Sequence, residues 1–346
     1  MCDIDKGIER TVAVEDAVGM VLGHDVTEII PGVRKGAAFK KGHVIEQKDV
    51  EHLKRLGKER IYVLSIPPDL MHEDEAAEAI ARALVGDGVR LGGAPSEGKI
   101  NLVASRDGLL KVDVRRLEAF NREGEVMCAT LHTNTVVKEG RIVAGTRAIP
   151  LVVDRALVAR AVAAAQGGVV SVIEMRAPKA GLVITGTEVY EGRIKDAFAT
   201  VITQKIAEMG GSMAGIRFAP DDAERIASEI NSLIAAGADL IITTGGMSVD
   251  PDDVTRHAVR LSGATEMTYG SPVLPGAMFL VAYIGGIPVI GIPACGMYSK
   301  RTVLDLVLPR ILAGERLGRT EIASMGHGGL CLHCEECSYP VCPFGK

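Results

Sequence analysis

Aromatic side chains are scarce. Phe, Trp and Tyr make up 3% of the 346 residues, so a chain that is 47% hydrophobic must build its core from Val, Ile, Leu and Ala. An excess of one charge is also missing: the net charge is -5 with acids and bases interspersed, which leaves no basic patch for nucleic acid. The start, Met1-Cys2-Asp3-Ile4-Asp5-Lys6, is too polar for a signal peptide. No charge occurs between Glu266 and Lys300, but Pro272, Pro275, Gly285-Gly286, Pro288 and Pro293 interrupt that run too often for a membrane helix. It reads instead as two buried strands, 278–284 and 288–292, around the Gly-Gly turn. The chain contains no G-x-G-x-x-G, no P-loop lysine motif, no internal repeat and no low-complexity tract. None of its eight histidines has a partner at helical metal-ligand spacing, and His24, His43, His52, His132 and His257 read as surface or satisfied residues. These absences predict a soluble cytoplasmic protein without nucleic-acid or membrane partners.

Two loops carry chemistry. An apolar strand at 240–242 breaks into Thr243-Thr244-Gly245-Gly246-Met247-Ser248, then Asp250, Asp252 and Asp253, where a helical pattern over 254–261 begins. The glycine pair allows close approach of backbone to ligand, and free amides at a helix start favour an anionic group. The carboxylates suit a magnesium ion beside a phosphate, or a ligand edge of N–H donors such as that of a pterin or guanine. A plain helix cap is the alternative, although a cap needs one acid and no glycine pair. Upstream, a strand at 181–185 leads into Gly186-Thr187-Glu188 and, after a glycine-containing link, Lys195-Asp196. A helix over 196–209, a strand at 214–218 and a helix capped by Asp221 and ended by Gly237 lie between the two loops. The alternation predicts an α/β fold with a doubly wound, mostly parallel sheet and both acid-bearing loops at its carboxyl edge.

These residues resemble the molybdopterin-binding domain of molybdenum-cofactor biosynthesis proteins, most closely the molybdopterin molybdenumtransferase branch. The resemblance covers 180–317. Thr185-Gly186-Thr187-Glu188 with Asp196 is similar to the family's T-G-D-E and following Asp. Gly245-Gly246-Met247-Ser248-Val249 with Asp253 is similar to G-G-V-S-V-G-x-x-D, and Gly291-Ile292-Pro293 to the start of G-L-P-G-N-P. The resemblance implies molybdopterin or its adenylylated form as ligand, with magnesium as a further candidate and Asp253 and Asp196 in catalytic positions. It implies binding contacts at Thr185, Gly186, Thr187, Glu188, Thr244, Gly245, Gly246, Met247, Ser248, Asp252, Asp253, Ser271, Pro272 and Pro293. A homo-oligomer is implied, and a molybdoenzyme apoprotein as delivery partner. Departures weaken the enzymatic reading. Ser271-Pro272-Val273-Leu274-Pro275 stands where the transferases carry K-P-G-K-P, so both lysines are absent; Asp250 replaces a glycine, Cys295-Gly296 an Asn-Pro, and Thr187 an Asp. No S-A-M-D-G-Y-A segment occurs in the first half. Pterin binding is thus better supported than molybdate insertion. The alternative is a nucleotide pyrophosphatase of the competence-damage-like group, which shares the glycine-pair loop.

Smaller β-rich α+β domains are expected ahead of this one. A small N-terminal domain spans 1–68, with a helix near 49–56, a strand at 60–64 and the break Pro67-Pro68; a β-rich middle domain spans 69–178, with helices at 76–85 and 157–166, a hairpin signal at Asp107-Gly108 and a turn at Glu139-Gly140. The molybdopterin-binding domain takes 179–318 and a Cys-rich tail 319–346. That tail holds Cys331, Cys334, Cys337 and Cys342-Pro343 within twelve residues. Such spacing in a cytosolic chain points to metal before disulfides. Three cysteines at every third position and a final Cys-Pro resemble the bacterial ferredoxin run with one extra residue, so an iron–sulfur cluster leads, with zinc and free or redox-active thiols as alternatives. With few sizeable apolar residues in the segment, metal is expected to order everything after Gly328.

Overall fold

The computed structural model describes residues 8–30, 34–247 and 254–346. The chain divides into two compact units, one drawn mainly from residues before 173 and one mainly from 173–346.

The second unit is a six-stranded sheet. Its strands are β1 (Lys179–Thr185), β2 (Ser212–Ala219), β3 (Leu240–Thr244), β4 (Thr265–Tyr269), β5 (Leu280–Ile284) and β6 (Ile287–Ile292), in the spatial order β2-β1-β3-β6-β5-β4. The first four in that order are parallel, and β5 and β4 extend the sheet antiparallel. Helices α1 (Phe198–Glu208), α2 (Ala223–Ala235), α3 (Thr255–Leu261) and α4 (Val303–Leu312) cover it. Alternation along each strand divides the core. Leu182, Ile184, Ile242 and Ile290 face one way and pack with Ile202 and Ile206 of α1 and Val307 and Leu308 of α4. Val183, Ile241, Ala282 and Val289 face the other and meet Ile226, Ile230 and Leu233 of α2 and Val259 of α3. Both faces are covered, which is why the strands read as continuous apolar runs. The expected α/β fold with a mostly parallel sheet is present.

The chain leaves β1 for β2 on one side and returns through α2 to β3 on the other, so the strand order reverses between β1 and β3. In open α/β sheets ligands bind at that reversal, outside the carboxyl ends. The Gly285-Gly286 turn joins β5 to β6 with both glycines at positive φ (54° and 93°), as a two-residue hairpin turn requires. Asp222, not the expected Asp221, caps α2 by accepting from Arg225 N. Strand β4 was not anticipated from the pattern.

The tail differs from expectation. Phe344 is buried within the α1/α4 core, and Tyr339, Cys331 and Cys342 pack against it. Gly345 N donates to Gly328 O at 2.9 Å, closing the segment on itself, so apolar burial and backbone bonds hold it in place rather than metal alone.

The first unit contains two cores. Val14, Leu22, Leu53, Ile61 and Val63 pack around the helix Gln47–Arg55. A larger core joins the helices Glu73–Leu84 and Arg155–Ala165 to the sheet Val89–Leu91, Lys99–Ala104, Ile142–Ala148 and Val126–Thr130. The hairpin expected at Asp107-Gly108 does not form. Lys99–Ala104 pairs with Val89–Leu91 and Ile142–Ala148, while Gly108–Val112 lies in a different sheet. A helix at Val114–Asn121, capped by Asp113, was also not anticipated.

Two outcomes follow from charge burial. Asp305, at the start of α4, has a side chain 6% exposed and accepts from Lys205 Nζ of α1, from Arg301 Nη1 at 2.9 Å and from Thr302 N at 2.8 Å. Asp305→Ala strands two cations and should cost about 3–5 kcal/mol of unfolding free energy in urea melts; a loss under about 1 kcal/mol would contradict the assignment. In the first unit, burial pushes the Glu73 carboxyl up to about 7 from its ordinary 4.5, with neighbouring Asp74 adding to the shift and Arg147 opposing it. Because the folded value lies above the unfolded one, this contribution is whole below about pH 4.5 and is lost as pH rises through 7. Glu73→Gln should remove a decline on the order of 2 kcal/mol over that window, read from melts at stepped pH.

Candidate functional site

The adjacent ends of β1 and β3 form the frame of the site. Ile184 pairs with Thr244 across the parallel ladder, and the Thr185 hydroxyl donates to Thr244 O at 2.8 Å while lying 3.2 Å from Thr255 Oγ1 at the start of α3. Gly245 and Gly246 follow with φ of +84° and +54°. A side chain at either would collide: a Cβ on Gly245 would sit 2.5 Å from Thr185 O, and one on Gly246 2.4 Å from Thr255 Oγ1. The pair therefore turns the chain sharply with its backbone at the surface of the crevice, as a ligand loop requires. Met247 is 3% exposed, and its carbonyl accepts from Tyr269 Oη at 2.6 Å.

Gly245, Gly246 and Met247 form one wall of a cavity of about 460 Å³. The loop from Leu274 to Met278 and the Pro293–Cys295 segment after β6 form the others. That volume lies within the range of sites for organic ligands. The lining is apolar or backbone, and the Cys295 thiol is its one titratable side chain among the described residues, with burial raising it above its ordinary value. Such walls suit a flat, weakly charged ring system, with glycine amides supplying hydrogen bonds.

The residues expected from the sequence are divided by the structure. Gly245, Gly246, Met247 and Pro293 line the cavity. Thr185 and Thr244 stand behind it as buried strand ends. Gly186, Thr187 and Glu188 lie at the end of β1 outside the lining; Thr187 N and Oγ1 both donate to Asp221 Oδ2, at 2.9 and 3.1 Å, which is the role Asp221 plays in place of capping α2. Asp196 receives Phe198 N and Ala199 N, each at 2.9 Å, and so caps α1. Ser271 Oγ donates to Gly276 O at 3.1 Å and shapes the 274–278 loop, whereas Pro272 faces Gly326. Ser248, Asp252 and Asp253 lie outside the described residues. Gly276, Ala277, Met278 and Ala294 were missed, since small and apolar loop residues carry no motif. The tail cysteines stand elsewhere, around a second cavity, and all are free thiols. Among the described residues no group of three or more His, Cys, Asp or Glu side chains converges on one point as a single metal ion requires.

Residues 181–313 match the family model described as a probable molybdopterin binding domain. The α/β unit thus carries a domain of the molybdopterin-binding biosynthesis family, as its loop motifs implied. Residues 11–65 match a second model, described as a domain of unknown function (DUF8806). A CinA-like protein of Mycobacterium avium is 38% identical over 81 residues, 23% of this chain and 19% of that protein. The CinA-like protein of Mycobacterium leprae is 35% identical over the same length, so the chain spans about a fifth of these curated relatives. Among solved structures, the molybdopterin biosynthesis enzyme MoaB from Thermus thermophilus aligns at 18% identity with a TM-score of 0.31, covering 40% of this chain and 98% of that one. The molybdopterin biosynthesis MoeA protein from Pyrococcus horikosii aligns at 15% identity and a TM-score of 0.32, covering 89% and 75%. No helix among the described residues is long and apolar enough to cross a membrane.

The contact beneath Gly245 can be isolated. Gly263 also has positive φ (+92°), but nothing lies within 4 Å of its added Cβ. Gly263→Ala should cost about 1 kcal/mol for conformation alone. Gly245→Ala should cost about 1–3 kcal/mol more, because a strand carbonyl cannot move aside. Equal losses in denaturant titrations would show that the crevice is not packed this tightly.

Proposed function

We propose that the chain binds molybdopterin, free or adenylylated, in the cleft at the carboxyl edge of the sheet, and serves in maturation or delivery of the cofactor. The observation that carries this is the Gly245-Gly246 pair, held in left-handed backbone at the end of β3 and facing an apolar cleft of about 460 Å³. Met247, Met278 and Pro293 would bracket the ring system, and glycine amides would meet its oxygens. On the sequence, Ser248, Asp252 and Asp253 would serve the N–H edge of the pterin, and Asp253 with Asp196 would stand nearest any bound magnesium. Thr185 to Glu188 would close the other side of the crevice. The same reading places a small N-terminal domain at 1–68, a middle domain at 69–178, the pterin domain at 179–318 and a thiol-bearing metal tail at 319–346.

Binding is favoured over molybdate insertion. The lining from Leu274 to Met278 offers no cation to an oxyanion, which agrees with the missing lysines. A carrier that hands cofactor to a molybdoenzyme, as a homo-oligomer in the cytoplasm, fits a site that holds a ring without activating a leaving group. The nucleotide-pyrophosphatase reading draws on the glycine-pair loop and on the CinA-like relatives, which match over 81 residues.

Ala294 is exposed at the rim of the cleft and lines it. Ala294→Trp should therefore fill the cavity at little cost to the fold. Anaerobic titration with molybdopterin should give an affinity in the parent that falls at least tenfold, about 1.4 kcal/mol, in the variant at unchanged melting temperature. Unaltered affinity would place the pterin elsewhere. No pterin binding, together with AMP release from a small dinucleotide, would favour the hydrolase.

A further inference from the structure

All four tail cysteines line one cavity. Cys331, Cys334, Cys337 and Cys342 surround a space of about 190 Å³ whose remaining wall includes Arg301 and Tyr339. Sequence spacing required only that the thiols be near one another along the chain; the fold adds that they share one space. It is too small for an organic cofactor, for which pockets are roughly 300–1,000 Å³.

Two metal centres could take four thiolates here, and they differ in the ligand spacing they need. Zinc holds four sulfurs about 2.3 Å from one point, hence roughly 3.8 Å from each other. Among the described residues no three ligating side chains are already placed to hold a metal ion, so the thiols would have to draw together on loading whichever metal binds. All four do border one space large enough to admit a cluster. A cubane iron–sulfur core takes one thiolate at each of four corners and so spaces its ligands more widely than a single ion does.

The surroundings suit an anionic centre. Thiolate ligation leaves such a cluster net negative, and Arg301 borders the cavity with a buried Nε–H that has no acceptor. Its guanidinium also hydrogen-bonds the Cys337 sulfur and lies 4.9 Å from the Tyr339 ring centroid. Lys300 Nζ donates to Glu335 O at 2.8 Å and pins the loop between Cys334 and Cys337. Backbone bonds hold the first ligand: Cys331 N donates to Leu274 O and Leu274 N to Gly329 O, both at 2.8 Å. The second unit thus holds the tail backbone in place before ligation, which lowers the ordering cost that metal binding would otherwise carry.

We propose that the tail is a four-thiolate iron–sulfur site, its cluster seated in the cavity beside Arg301 and held against the loop that also lines the pterin cleft. Each cysteine gives its proton to solvent as its sulfur binds iron, and iron and sulfide enter from the medium or an assembly protein. The site is independent of whether pterin binds.

The test uses the full chain, purified without oxygen and reconstituted with ferrous and ferric iron, sulfide and thiol reductant. Expected are about four iron and four sulfide per chain and an oxygen-sensitive visible charge-transfer absorption. Cys334→Ser and Cys337→Ser remove exposed thiols outside the apolar core, so circular dichroism should be unchanged while bound iron falls by at least half. Hydrogen exchange should slow at Cys331 and Leu274 on loading. Stoichiometric zinc without iron, full iron in both serine variants, unaltered exchange at those amides, or no metal uptake with four titratable thiols would each overturn the assignment.

Discussion

The buried carboxylate of Asp305 is the contact on which the second unit depends. It accepts from Lys205 of α1, from Arg301 and from the Thr302 amide, and Thr302 Oγ1 in turn accepts from Leu304 N to complete the cap of α4. The Asp305 carbonyl accepts from Tyr339 Oη at 3.3 Å, bringing the tail to the same point. Desolvating a carboxylate is costly, and here three charge-assisted donors offset it. One residue thereby joins a crossover helix, the segment leaving β6 and the start of α4 through its carboxylate, and the tail through its carbonyl. The cleft wall at Pro293–Cys295 is suspended between the end of β6 and this cap, so the shape of the site depends on a charge network outside it.

The cleft itself is chemically quiet. Its described lining offers glycine amides, methionine and proline, and a thiol that burial holds above its ordinary value. Such a site discriminates by shape and hydrogen bonding rather than by charge, which suits holding a reactive ring away from solvent. Two carboxylates of the segments flanking β1 are already engaged: Asp196 caps α1 and Asp221 holds Thr187. Asp196, which looks catalytic in sequence, thus serves to fix the start of α1. A cap accepting two helix amides strengthens as a carboxylate, so charge there supports geometry rather than reaction.

The legible parts of the fold were those set by local chemistry. Continuous apolar runs bounded by glycine identified the buried strands β1, β3, β5 and β6, because both faces of a covered parallel sheet are dry. Strand β4 escaped because its sequence, Thr-Glu-Met-Thr-Tyr, is that of an edge: Thr265 and Glu266 are exposed, and Glu266 adopts positive φ at a register shift against β5. What keeps β4 in place is non-local, with Arg256 stacked 4.4 Å from the Tyr269 ring centroid and Tyr269 bonded to Met247. The Asp107-Gly108 signal failed for a related reason. A turn-forming dipeptide states where the chain can reverse, not which strands the flanks will join. At Asp221-Asp222 two adjacent acids compete for one cap position, and only the fold decides that the first serves Thr187. Within the site, the glycine pair was readable because positive φ leaves a compositional trace; Ala277 and Ala294 were not, because a small side chain lining a cleft resembles any other alanine.

The tail shows how a motif and its setting can carry different information. Cysteine spacing identified a cluster of thiols, but not that Phe344 and Tyr339 would anchor the segment in the α1/α4 core. Nor did it place Leu274 between Gly329 and Cys331, where its amide and carbonyl find partners that β-structure elsewhere does not supply. Leu274 also lines the cleft at the carboxyl edge of the sheet, and it stays 53% exposed there. Displacing the tail would therefore return two peptide groups of the cleft loop to water and free that loop from one of its supports. The loop's conformation and the seating of the tail are consequently parts of one backbone hydrogen-bond ladder, and a change at either end acts on the other through direct bonding rather than through a long pathway.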